Sequence, residues 1–292
     1  MRVRLVRPSD LPRIAGQPWV DRDRRPVVQE GVAYVPVREG EPHDRILPER
    51  KPYRGRGYQR LGDLVLLHGD RPTPGEVEEI RAWAGPRGIL WLRGISGRER
   101  LPDTELLFGT AGEVCHREYG CSFVLDPARV MYAMGNLSER RRMVESAMRM
   151  GNPERVGDLF AGIGYFAIPL ARAGCRVHAM EISPVAHGYL ARNVEGNGVG
   201  ERVTAECGDC RDLLRGRYDR LILGHFDSGD YLPDALAHAG TGSILHVHTL
   251  GDETDGIVSH AREAGFRASV TTRRVKSYAP HTWHKVQDVV LA

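Results

Sequence analysis

The stretch Asp158-Leu-Phe-Ala-Gly-Ile-Gly-Tyr-Phe166 constrains this 292-residue chain more than any other. It continues an apolar run, Val156-Gly-Asp-Leu-Phe160, that reads as a strand, and it leads into a helix expected over 166–173. A glycine pair at such a junction, Gly162 and Gly164, turns the backbone tightly and lets a ligand approach without a Cβ in the way. Parallel sheets bind their ligands at these carboxyl strand ends. With Ala167 the stretch also fits the dinucleotide pattern G-x-G-x-x-G/A, a weak signal by itself. Asp158 separates the two cofactor classes. A carboxylate four residues before the first glycine disfavours a pyrophosphate at the helix N-terminus, whereas S-adenosylmethionine brings an ammonium and a sulfonium.

Two further acids end successive strands. Glu181 follows Arg176-Val-His-Ala-Met180, where a carboxylate can accept both hydroxyls of a ribose, although Ser183-Pro184 beside it also fits a helix N-terminus. Asp209, in Cys207-Gly-Asp-Cys-Arg-Asp212, ends the third strand and can accept an adenine amino group or serve as a turn residue. Acids or glycine turns at the ends of three successive strands point to one nucleoside-shaped site.

Around this site strands are expected at 156–160, 176–180, 203–207, 220–224 and 243–250, and helices over 138–150, 166–173, 185–197 and 254–264. Such alternation gives an α/β fold, a mostly parallel sheet with helices on both faces. The segments 267–274 and 283–291 fit a closing antiparallel pair. Upstream, 58–130 reads as a small α+β domain, with one helix opened by Thr73-Pro-Gly-Glu76 and stopped at Gly85. Residues 1–57 form a basic extension rich in Pro, Gly and Arg with little periodicity, and regular structure is expected to begin near Leu61.

Composition removes several function classes. No run of about 18 apolar residues is present to span a membrane. The start, Met1-Arg-Val-Arg-Leu-Val-Arg7, has neither the apolar run nor the small-residue cleavage site of a secretory signal, so a cytoplasmic location is expected. Cys115, Cys121, Cys175, Cys207 and Cys210 are too sparse for a disulfide framework. Cys207 and Cys210 form a C-x-x-C with no second Cys/His pair at ligand spacing, so no metal is expected. Net charge is only +3, but residues 1–60 hold 14 Lys and Arg against 8 Asp and Glu, and Arg140-Arg141-Arg142 forms a second basic cluster. Arginine forks suit phosphate, and a solvated charged surface accounts for the same pattern equally well.

Asp158-Leu-Phe-Ala-Gly-Ile-Gly-Tyr-Phe-Ala-Ile-Pro169 resembles the cofactor loop of two sister groups of archaeal and eukaryotic tRNA enzymes. These are the tRNA guanine-37 N1-methyltransferases and the wybutosine-synthesis aminocarboxypropyltransferases. Arg100-Leu-Pro-Asp-Thr-Glu-Leu-Leu-Phe-Gly109, Phe123, Asp126 and Val130-Met-Tyr-Ala-Met-Gly-Asn-Leu-Ser-Glu-Arg-Arg-Arg-Met143 are similar to the segment before that loop, and the likeness extends over about 58–292. The methyltransferases carry an Asn-Leu-Pro or Asn-Pro-Pro-type element after the fourth strand. Here that place reads Leu223-Gly-His-Phe-Asp-Ser-Gly-Asp-Tyr231. With Ile244-Leu-His-Val-His-Thr249, Tyr278-Ala-Pro280 and Trp283-His284, it resembles the aminocarboxypropyl group.

The resemblance implies a class I methyltransferase-like Rossmann domain over 131–292, preceded by a tRNA-binding domain over 58–130. It implies transfer of the 3-amino-3-carboxypropyl group of S-adenosylmethionine to C7 of 4-demethylwyosine in the anticodon region of tRNA(Phe), by a monomer and without a metal. Arg140 then contacts the cofactor through its methionine carboxylate, Phe160 flanks it, and Gly162 and Gly164 form its loop. Glu181 holds the ribose, and Asp209 with the backbone of Cys210 holds the adenine. Ala133 stands where the family usually has Ser, so a contact there falls to the backbone. Glu139 matches an acid proposed as proton acceptor in the methyltransferases and is the candidate catalytic residue. His225, His246, His248 and His284 are candidate bases or tRNA contacts, and Arg141, Arg142, Arg273, Arg274 and Lys276 are candidate phosphate contacts. A guanine-37 N1-methyltransferase and a catalytically silent tRNA-binding protein are the alternatives; the intact Gly162, Gly164, Glu181 and Asp209 weigh against the second.

Overall fold

Alternation of arginine with apolar residues in Arg2-Val-Arg-Leu-Val6 builds a strand in the segment expected to lack regular structure. In this computed structural model residues 1–29, 31–47, 53–132, 136–279 and 281–292 are described. The strand, β1 (Arg2–Val6), is followed by the short helix α1 (Leu11–Ile14) and by β2 (Val27–Gln29), β3 (Val32–Pro36) and β4 (Arg45–Ile46). They pair antiparallel in the order β2-β3-β1-β4 over Val3, Ala33 and Val35, none more than 1% exposed, and Met1–Arg54 forms a unit of its own. Regular structure therefore begins at the N-terminus and not near Leu61. Strands of two to five residues broken by Pro and Gly carry too few alternations to register as periodic.

The second unit, Gly55–Ala292, opens with β5 (Gln59–Leu61), β6 (Leu64–Leu67), α2 (Pro74–Ala84), β7 (Gly88–Ser96) and β8 (Leu101–Gly109), a sheet of order β5-β6-β7-β8. α2 starts as its sequence predicts. The Glu76 amide donates to the Thr73 hydroxyl at 3.3 Å, the Thr73 amide donates to the Glu76 carboxylate at 2.7 Å, and Gly85 ends the helix at φ +53°. The hairpin β9 (Val114–Glu118) and β10 (Cys121–Leu125) then leads to α3 (Leu137–Arg149).

The remainder alternates strand and helix: β11 (Arg155–Asp158), α4 (Ala167–Arg172), β12 (Arg176–Glu181), α5 (Pro184–Gly196), β13 (Val203–Cys207), α6 (Cys210–Leu213), β14 (Arg220–Leu223), α7 (Leu232–Ala237), β15 (Ile244–Leu250) and α8 (Thr254–Glu263); the short α6 and α7 are not among the expected helices. The long hairpin β16 (Ala268–Ala279) and β17 (Thr282–Leu291) closes the fold. The seven strands run β13-β12-β11-β14-β15-β17-β16, with the first five parallel and the last two antiparallel. β14 is buried at all four positions, as a strand covered on both faces must be. Strand order reverses between β11 and β14, which opens a crevice at their carboxyl ends. Leu64, Leu90 and Phe123 share one buried cluster with Ile163 and Leu190, so the upstream sheet and hairpin pack into the same core as the Rossmann half. Asn193 of α5 ties the hairpin to the cofactor loop: its amide group donates to the carbonyls of Val124 and Ile163, each at 3.1 Å. Among the described residues no helix is long and apolar enough to cross a membrane.

Candidate active site

The crevice is a cleft of about 1080 Å³ whose described lining residues all belong to the second unit. Gly162 lines the cleft with φ +58°, and a Cβ there would press within 3.2 Å of the Tyr165 ring. Its amide donates to Glu181 Oε2 at 2.7 Å, while the Ser183 amide donates to Glu181 Oε1 at 2.8 Å. Glu181 is thus pinned at the end of β12 and still lines the cleft, its remaining lone pairs open to the diol of a ribose. Burial pushes its pKa up, against the pull of the Ser183 and Gly162 amides. Asp158 sits behind the loop, 0% exposed, and neither carboxylate oxygen completes a hydrogen bond. Burial lifts its pKa to about 7, although the nearby amides of Phe160 and Ala167 pull the other way.

Gly164 does not line the cleft. Its φ is +101°, and a Cβ would meet Ile168 at 2.6 Å and Leu190 at 3.1 Å, so the residue is a glycine for close helix packing. Phe160 does line it, meeting Tyr231 edge-on at 4.9 Å between ring centroids. Asp209 and Cys210 also line the cleft. Both oxygens of Asp209 are already engaged: Oδ1 accepts from the Arg211 amide at 3.1 Å and its Nε at 3.0 Å, and Oδ2 from Arg98 and Arg211 at 2.7 Å each. Arg211, foremost, and then Arg98 hold its carboxyl below the usual range. An adenine amino group must therefore share or displace one of these donors. The amide of Cys210, at the first position of α6, has no acceptor within its own helix by geometry. Arg98, on the β7–β8 turn, was not anticipated here; no local pattern announces a contact with a residue 111 positions away.

Arg140 and Glu139 part company on α3, because adjacent helical residues point about 100° apart. Arg140 turns into the cleft, 2% exposed, where it ion-pairs with Glu118 and lies 4.3 Å above the Tyr165 ring. Burial works to raise the Glu118 pKa, but His116, Arg140 and Tyr132 bring it down to about 2. Glu139, the candidate catalytic acid, is turned away from the cleft. Arg142 donates to it at 3.0 Å and to Asp288 at 2.7 and 2.8 Å, and His246 Nδ1 lies 2.6 Å from Asp288. Glu139, His246 and Asp288 stand within metal-ligand reach of one another, but Arg142, Arg273 and Arg220 already occupy the group. It is a buried ion-pair network. Ala133 lies outside the described residues.

At the other end of the cleft the sequence candidates separate again. His225, His248 and His284 line it and His246 does not. His248 and His284 are 1% exposed and share a 3.0 Å Nδ1–Nε2 contact; burial lowers the pKa of each, that of His284 to about 4. Phe226 stands edge-on to Tyr278 at 5.2 Å and to His284 at 5.0 Å, with the Arg100 guanidinium 5.9 Å from its ring. These rings form an aromatic wall for a flat base. Phe226 was missed as a site residue because it lies in the turn after β14, outside any periodic pattern. Arg141 ion-pairs with Glu145 on the surface, Arg274 covers Trp283, and only Lys276 of the candidate phosphate contacts lines the cleft.

The arrangement fits a nucleoside cofactor carrying a charged arm beside an aromatic base site, and comparisons with known proteins agree. A family model described as the TRM5/TYW2 methyltransferase domain matches residues 114–275. A tRNA(Phe) (4-demethylwyosine(37)-C(7)) aminocarboxypropyltransferase of Methanocaldococcus jannaschii is 33% identical over 244 residues, 79% of this chain and 96% of that protein. The crystal structure of Pyrococcus horikoshii TYW2 in complex with MeSAdo is 28% identical, covers 81% of this chain and 91% of that chain, and superposes with a TM-score of 0.70. The Pyrococcus abyssi Trm5b structure, 22% identical with a TM-score of 0.72, covers 99% of both chains and shares the fold. With the family model over more than half of the chain and these relatives, the chain belongs to the TRM5/TYW2 family, on its aminocarboxypropyltransferase side.

Proposed function

We propose that this chain transfers the 3-amino-3-carboxypropyl group of S-adenosylmethionine to C7 of 4-demethylwyosine at position 37 of tRNA(Phe). The observation that carries the reading is the match to the M. jannaschii enzyme over nearly its whole length, joined to a cleft whose Glu181 presents free lone pairs beside the Gly162 loop. S-adenosylmethionine supplies the electrophilic Cγ: the C7–Cγ bond forms as Cγ–S breaks, the electron pair returns to sulfur as methylthioadenosine, and C7 loses its proton. A sulfonium has three electrophilic carbons, so the product depends on which one the site holds in line with the nucleophile. Glu181 and the Cys210 amide fix the nucleoside, and Phe226 with Tyr278 receives the base. The same reading places a monomer in the cytoplasm, gripping the anticodon region through the second unit and other parts of the tRNA through the arginine-rich first unit, with no metal in the reaction.

Labelled cofactor tests the reaction. S-adenosylmethionine carrying label on the methyl carbon, or separately on the methionine carboxyl carbon, is incubated with tRNA(Phe) bearing guanine or 4-demethylwyosine. The expected result is carboxyl label in the tRNA with methylthioadenosine released. Methyl label in the tRNA, with S-adenosylhomocysteine released, would identify a guanine-37 N1-methyltransferase instead.

A further inference from the structure

Lys276 enters the cleft through an irregularity in β16. The pairing register shifts between Arg274 and Lys276, which places Lys276 opposite His284, and bulges of this kind re-aim side chains. The residue is half-buried and lines the cleft. Among the described residues its ammonium has neither a hydrogen bond nor an ion pair. Of the other cations that line the cleft, Arg140 is matched by Glu118 and Arg98 by Asp209, Arg129 is exposed, and Arg100 lies against the Phe226 ring and the Met131 sulfur. The charge that Lys276 feels is that of Arg140, of the same sign, and burial together with Arg140 presses its pKa down. A half-buried ammonium without a counter-ion is costly, and a ligand anion would relieve it. Its position also suits a reacting end: Glu181 and Asp209 hold the nucleoside on the β12–β13 side, and Lys276 stands on the β16 side beyond the glycine loop.

We propose that Lys276 is an anion subsite at the reacting end of the cleft, binding carboxylate or phosphate oxygens of the reactants. The inference rests on the functional reading above, which offers two sources: the methionine carboxylate of the cofactor, or the phosphate of the nucleotide whose base enters. Arg140, the sequence candidate for the carboxylate, already has Glu118, whereas Lys276 has no anion among the described residues.

The test uses the full chain with Lys276→Met and Lys276→Arg. Calorimetry without RNA measures S-adenosylmethionine, its decarboxylated form and methylthioadenosine. A second series, saturated with methylthioadenosine, measures an anticodon stem-loop of tRNA(Phe) across salt concentrations. If the anion is the carboxylate, Lys276→Met weakens S-adenosylmethionine about 10- to 100-fold, removes its advantage over the decarboxylated form and leaves methylthioadenosine unchanged. If it is phosphate, cofactor binding is unchanged, stem-loop affinity falls, and the salt slope drops by about one. Lys276→Arg recovers whichever ligand is lost. Lys276→Met indistinguishable from wild type toward all four ligands overturns the proposal. A wild-type chain that binds neither S-adenosylmethionine nor methylthioadenosine would instead sink the functional reading itself.

Discussion

With both carboxylate oxygens tied to main-chain amides, Glu181 is held in one orientation, so the ribose site proposed there is a rigid pair of acceptors. Glu181→Gln replaces one oxygen by a donor that faces an amide, so S-adenosylmethionine affinity should fall about 10- to 100-fold in calorimetry. A change within a factor of two would remove Glu181 from the cofactor site. Asp158 makes a different prediction, because its native pKa of about 7 lies above the ordinary carboxylate value of 3.8. The folded protein then binds a proton that the unfolded chain has released, and stability is lost as pH rises through the window between those values. The steepest loss is about 1.4 kcal/mol per pH unit, and it stops above pH 7. Asp158→Asn has no charge to bury, so its stability should stay flat where the wild type declines, and the gap between their melting temperatures should be widest above pH 7. Parallel melting curves from pH 5 to 8 would refute the buried charge.

Elements, more than single residues, decided what could be read from the sequence. Strand ends were legible: an acid or a glycine turn closing each of three parallel strands is a local pattern, and Gly162, Glu181, Asp209 and Cys210 all line the cleft. Long-range partners were not, because Arg98 on Asp209, Asn193 on the cofactor loop and the register shift at Lys276 exist only after folding. Helix geometry explains the fate of Glu139. One residue along α3 from Arg140, it joins Arg142 and Asp288 away from the cleft. Glu139→Gln should therefore lower thermal stability, by about 1–3 kcal/mol for a weakened buried pair, and leave kcat and its pH profile unchanged. A collapse of kcat at unchanged stability would return Glu139 to the chemistry. Gly164 behaves likewise as part of an element. Gly164→Ala puts a Cβ 2.6 Å from Ile168 in a backbone conformation that L side chains rarely adopt, which should cost about 1–3 kcal/mol and shift the melting temperature before it touches ligand contacts.

At the scale of the whole molecule, the chain divides into two compact units. Among the described residues, every one lining the cleft belongs to Gly55–Ala292, whereas the first unit has its own sheet and its own small core. The arginine excess of the first 60 residues has no counterpart in a cofactor role, and phosphate backbones are what such forks bind without reading sequence. Deleting residues 1–54 should thus leave S-adenosylmethionine affinity and binding of an isolated anticodon stem-loop as they are. Affinity for full-length tRNA(Phe) should fall, and the slope of log K against log salt should become shallower, because fewer counterions are released. Titrations of both RNAs at several salt concentrations, with and without the first unit, separate the possibilities. Equal losses for stem-loop and tRNA would mean that the second unit had been damaged. Unchanged tRNA affinity and slope would mean that the first unit does not grip RNA, and that the arginines there are a solvated surface.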